Sequence, residues 1–108
     1  MKIAKFIAIL GIIAMTGIIT FAFAQGDFAR EGAQLIAMPW GIVSLVDLYT
    51  GFTLFSGWII FREKSPVAAA LWVVLMMGLG FFTGSLYVLI ALYTSKGDWK
   101  RFWMGHRA

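Results

Sequence analysis

Cysteine is absent from the 108 residues, which excludes disulfides, thiolate metal sites and thiol nucleophiles together. Histidine occurs once, at His106 in the tail, so an imidazole-based metal or catalytic site is not expected. Charge is also scarce: 13% of residues are Asp, Glu, Lys or Arg, against about a quarter in soluble domains. Within this small polar set no nucleophile–base pair, metal cluster or phosphate loop can be traced, so neither an enzyme nor a cofactor is expected. The excess of basic residues, +4 overall, comes with no DNA- or RNA-binding signature. It sits near chain ends and loops, which points to anionic lipid headgroups as partners, not nucleic acid.

What the chain has in abundance is apolar surface. Hydrophobic residues make up 61% of it, with a mean hydropathy of +0.87, more than a water-soluble core could hide. The fold class expected is all-α and integral to a membrane, one domain over 1–108, with three transmembrane helices. The first, Phe6 to Ala24, would span ~28 Å as a helix. Lys2 and Lys5 precede it and Ala22-Phe23-Ala24 resembles a signal-peptidase site. Its apolar stretch nevertheless exceeds the ~7–15 residues of a usual signal core, which favours an uncleaved span. Asp27, Arg30, Glu31 and Gln34 then fall on one helical face, predicting a short interfacial helix capped by Asp27, with an irregular loop as the alternative.

The second span, Trp40 to Phe61, is ~33 Å long, with Pro39 before it where a missing N–H costs nothing. Trp40 and Trp58 suit the two interfaces. A tight turn, Arg62-Glu63-Lys64-Ser65-Pro66, with Ser65 as a cap, leads into the third run, Val67 to Thr94. That run would reach ~42 Å, more than a ~30 Å hydrocarbon core requires. It must tilt, kink near Gly78 and Gly80, or project. Trp99, Phe102 and Trp103 beside basic residues give the C-terminal tail the character of an amphipathic headgroup anchor, with Trp99 and Trp103 as interface residues. Three spans place Lys2, Lys5, Arg62 and Lys64 on one side and Arg30, Lys96, Lys100, Arg101 and Arg107 on the other. Four against five hardly orients a multi-pass membrane protein. The first hairpin alone puts the N-terminus in the cytoplasm, and the basic tail argues the reverse.

Asp47 is the one ionisable side chain deep inside a span. A carboxylate at a helix centre costs ~2.5–3.5 kcal/mol on insertion scales, so it should face protein or water. Equal depth brings Thr16 and Thr20 on the first span, Ser44 on the second, and Thr83 and Tyr87 on the third to its level. The expectation is a buried polar layer of these six residues. Gly80 and Gly84, as G-x-x-x-G, and Gly51 on the Asp47 stripe would let helix backbones approach. Asp47 then reads either as structural glue, at ~0.6 kcal/mol per hydrogen bond, or as a proton- or ligand-handling acid.

Met38-Pro39-Trp40, Leu45 through Tyr49, Trp58-Ile59, Arg62-Glu63-Lys64-Ser65, Leu71-Trp72 and Gly80 through Tyr87 resemble a small family of membrane proteins from bacteria and plants, classed as a domain of unknown function. The resemblance runs over Met38 to Leu92, with the first span alike only in kind. It implies the same membrane topology and brings no activity; a bacterial member would sit in the inner membrane. The function expected is an accessory or assembly subunit that docks on other membrane subunits or on itself. The alternative is a small oligomeric transporter or channel with Asp47 as its proton or cation site.

Overall fold

The computed structural model describes residues 1–107 and is helical throughout. Six α-helices follow one another: α1 (Lys2–Gln25), α2 (Phe28–Ala37), α3 (Pro39–Arg62), α4 (Pro66–Leu79), α5 (Phe81–Thr94) and α6 (Trp99–Met104), with a final 3₁₀ turn over Gly105–Arg107. The local signals for several starts operate as their chemistry requires. Asp27 accepts from the Arg30 N–H at 3.2 Å, Ser65 from the Ala68 N–H at 3.3 Å, and Pro39 and Pro66 open α3 and α4. The stretch after α1 is therefore a capped amphipathic helix, and the irregular-loop alternative falls away. Two helices, Lys2–Gln25 and Pro39–Arg62, are long and apolar enough to cross a membrane.

The third run departs from expectation. It is not one helix: the chain breaks at Gly80, whose φ of +64° and ψ of −139° belong to a region open in practice only to glycine. Beyond the break α5 folds back along α4. Thr83 donates its hydroxyl to the Leu75 carbonyl at 3.1 Å, although a straight helix would separate them by ~12 Å. Trp72 and Tyr87, fifteen residues apart in sequence, meet edge to face with ring centroids 5.0 Å apart. Each arm has 14 residues and measures ~21 Å, less than the ~30 Å of a hydrocarbon core. The surplus length noted over 67–94 is consumed by reversal, not by tilt or projection.

This reversal decides where the ends lie. α1 runs antiparallel to α5, with Lys5 over the Tyr93 ring at 4.3 Å and Met1 Sδ accepting from the Ser95 hydroxyl at 3.8 Å. The N-terminus, the α3–α4 turn and the C-terminal tail thus gather at one end of a body 45 Å long. Ala91, Leu92 and Phe102 form a small core there, against Met1, Ala4, Trp58 and Val88. At the other end the α4–α5 tip stops short of α2, leaving an apolar cavity of about 320 Å³ between Met15, Ile19, Phe23, Leu35 and Leu79. α1 is an integral part of this packing: its Gly11 backbone lies so close to the Ser85 side chain that a Cβ would collide with it.

Because Gly80 sits in a conformation hostile to a Cβ, and that Cβ would also stand 3.1 Å from the Phe52 ring, Gly80→Ala should lower stability by about 1–3 kcal/mol. Thermal unfolding in detergent, followed by tryptophan fluorescence, measures it. An unchanged midpoint would show that the break can relax without loss.

Candidate functional site

The expected polar layer around Asp47 is not assembled. Asp47 and Ser44 are exposed on α3, and Ser44 donates only to the Trp40 carbonyl in its own helix. Thr16 and Thr20 are exposed on α1, where Thr20 donates to the Thr16 carbonyl. Only Thr83 and Tyr87 are buried, both at 2% exposure, and neither touches Asp47. The physical reasons are the reversal at Gly80, which carries Tyr87 to the level of Arg62, and azimuth. The α3 face turned toward the hairpin carries Phe52, Ser56 and Ile59. Asp47 is nine residues before Ser56, two and a half turns at 3.6 residues per turn, so it points the opposite way. The stripe of Ser44, Asp47, Gly51 and Leu54 therefore forms an outer surface, with nothing within 4 Å of where a Gly51 Cβ would stand.

The small-residue motif on the third run also changes meaning. Gly80 is the hinge itself, while Gly84 is buried against the Phe81 ring of its own helix and the Met76 side chain of the paired arm. Among the tryptophans, Trp40 is 80% exposed, and Trp99 and Trp103 are exposed too, as interface residues would be. Trp58 is different. Its indole N–H donates to the Trp103 carbonyl at 3.0 Å and its ring packs against Tyr87, Phe102 and Trp103. It is a packing hub between α3, α5 and α6.

The polar constellation that does form centres on Arg62, which the sequence presents only as a member of a solvated turn. Arg62 is 9% exposed. Its Nε–H donates to the Phe102 carbonyl at 2.6 Å, Nη1 to the Tyr87 hydroxyl at 2.9 Å and Nη2 to the Arg101 carbonyl at 3.5 Å. The Tyr87 hydroxyl in turn donates to Glu63 Oε1 at 2.8 Å, so a phenol stands between guanidinium and carboxylate. Trp58 and Tyr87 present their rings to the guanidinium, each centroid 5.5 Å away. Among the described residues Arg62 forms no ion pair. Its charge is balanced instead by ring faces and by the carbonyls of α6.

The C-terminal segment returns the interaction. His106 Nδ1 lies 2.6 Å from the Arg62 carbonyl, which can only accept, so Nδ1 carries the proton. Arg107 Nε donates to the Phe61 carbonyl at 2.9 Å. The last carbonyls of α3 and of α6 lie past the helical pattern; Arg62 at the end of α3 donates to those of α6, and His106 and Arg107 in the 3₁₀ turn after α6 donate to those of α3. Gly105, at φ +59°, makes this possible, since a Cβ there would lie 2.5 Å from the Arg62 carbonyl oxygen.

Beside this clamp opens a cleft of about 470 Å³. Arg62, Lys64, Arg101 and His106 border it with Glu63, Thr94 and Ser95, and Trp72 and Ile90 supply apolar wall. Such a site can hold an anion; it contains no nucleophile–base geometry among the described residues, and no group of three metal-binding side chains forms there. Sequence reasoning could have found Arg62 only by asking what a cation at a helix C-terminus faces, and Tyr87 only by knowing that the chain turns back.

Compared with known proteins, the family described as "Protein of unknown function (DUF1475)" matches residues 2–100. The match includes α1 and reaches α6, and the chain belongs to this family. No curated protein and no solved structure matches it.

Tyr87→Phe removes the hydroxyl that joins Arg62 to Glu63 and leaves the ring in place. It should lower stability by about 1–2 kcal/mol, and Arg62→Met by more than about 2 kcal/mol, because buried carbonyls lose a charged donor. Unfolding midpoints in detergent read both; a neutral Tyr87→Phe would mean that the phenol bridge contributes nothing.

Proposed function

We propose that this DUF1475 chain is a non-enzymatic, multi-pass membrane subunit that crosses the bilayer twice, inserts the α4–α5 hairpin half-way, and docks on another membrane protein through α3. Support for the membrane comes from two helices long and apolar enough to cross, and from large side chains left bare along their lengths, including Ile3, Ile13, Phe21, Val46 and Leu54 at 57% exposure or more. The hairpin arms carry no charge and are too short to cross, so they enter and leave on one side.

The same geometry supports an orientation. With the ends gathered as they are, Lys2, Lys5, Arg62, Lys64, Lys96, Lys100, Arg101 and Arg107 lie at one end and Arg30 alone at the other. Eight against one replaces the four against five of a three-span count. Cationic residues collect on the cytoplasmic face, so both termini belong there.

The observation that carries the docking is Asp47. It lies ~12 Å along α3 from Pro39, bare, and its carboxyl group accepts no hydrogen bond from the described residues. A carboxyl group in hydrocarbon requires a partner. All nine Lys and Arg of the chain sit at the helix ends or in loops, so a second copy brings no cation to that level. A foreign helix carrying a basic or hydrogen-bonding side chain satisfies Asp47, and the small residues Ser44 and Gly51 let it approach. A transport role would need Asp47 enclosed by further copies, since in the single chain it stands exposed on the outer face of α3.

The test is purification of the tagged chain from its native membrane in mild detergent. A stoichiometric foreign subunit should be retained by the wild type, retained in part by Asp47→Asn, and lost from Asp47→Leu at unchanged cellular level. A homo-oligomer free of other subunits, or a partner indifferent to Asp47→Leu, would overturn the reading.

A further inference from the structure

We propose that the cleft beside Arg62 binds the phosphate of an anionic ester, in the first place the headgroup of an acidic phospholipid. The proposal rests on the reading of this end as the membrane interface. Three observations support it together. First, Arg62, Lys64 and Arg101 bring three positive charges to the cleft and Glu63 one negative, a net +2 before His106 is counted. Second, Arg62 is a buried cation without an ion-pair partner among the described residues, and its bonds to Phe102, Tyr87 and Arg101 leave one N–H free on each terminal nitrogen. That pair of unused donors is what a phosphate oxygen accepts from, and the guanidinium is already fixed by its other partners. Third, the cleft is two-sided. The basic groups and Thr94 and Ser95 form its polar part, while Trp72 and Ile90 continue it toward the bare apolar flanks of the hairpin. A headgroup seated on Arg62 would therefore have its acyl chains running down α4 and α5. At about 470 Å³ the space lies within the range of small-molecule sites.

Glu63 Oε1 is occupied by the Tyr87 hydroxyl, so the carboxylate does not neutralise Arg62 directly.

Native mass spectrometry of the protein in mixed micelles tests this, because micelles have no sides and the result does not depend on orientation. The wild type should retain one phosphatidic acid or phosphatidylglycerol per chain in preference to phosphatidylcholine. Lys64→Gln with Arg101→Gln, both exposed side chains outside the clamp, should weaken that binding about 25-fold, about fivefold for each charge removed. Lys96→Gln with Lys100→Gln removes the same charge from residues that do not line the cleft and should leave binding within about threefold. Competition with glycerol phosphate distinguishes the sources: displacement at equal concentration assigns the site to free phosphate esters, and retention assigns it to the lipid. Equal loss in the two double variants, or a wild type blind to headgroup charge, overturns the cleft while leaving the two-span topology untouched. Should the chain cross the bilayer differently, sidedness would change but this micellar preference would not.

Discussion

Reversal of the chain at Gly80 governs much else in this molecule. A helix continuing through that position would carry Tyr87 ~30 Å from Pro66 along one axis, out of reach of Arg62. Folded back, α5 delivers Tyr87 to the turn where α4 begins, and Arg62, Glu63 and Tyr87 close into one chain of hydrogen bonds. The same fold-back gives α1 an antiparallel partner along its length and brings α6 over Trp58. Reciprocal capping then becomes available, with Arg62 serving carbonyls of α6, and His106 and Arg107 serving those of α3. Helix ends buried without such donors would each lose several hydrogen bonds.

A consequence is polarity between the two ends. One is held by a clamp, an aromatic cluster and a cap exchange. The other, where α2 lies and the hairpin does not reach, holds an apolar void and an outer stripe on α3 with a bare carboxyl group. The docking proposed for α3 would use this incomplete end. The finished end carries the basic residues and the cleft proposed to take a headgroup phosphate.

Much of the fold was legible in the residues. The first two long helices, the Asp27 and Ser65 caps, Pro39 and Pro66 as openers, and the amphipathic character of α2 all follow from local chemistry that tertiary packing does not disturb. The break in the third run was visible only as excess length, because Gly78-Leu79-Gly80 lies in an apolar stretch whose hydropathy is the same whether it bends or not. Equal depth was the argument for a layer around Asp47, and depth fixes neither direction on α3 nor the level of Tyr87, which the fold-back carries to Arg62. Which side of α3 is covered depends on where the hairpin packs, and that depends on Gly80. Arg62 was undervalued for the same reason: a cation in a short polar turn looks solvated until a returning helix covers it.

Sidedness of three short segments tests the reversal most directly, and the absence of native cysteine makes it clean. Single cysteines placed at Lys2, Lys64 and Lys96 should react with a membrane-impermeant thiol reagent from one and the same side of sealed vesicles, while one at the exposed Gln25 reacts only from the other. Labelling of Lys64→Cys and Lys96→Cys from opposite sides would mean that residues 67–94 cross the membrane as a single span, and would contradict the fold-back on which the Arg62 clamp depends.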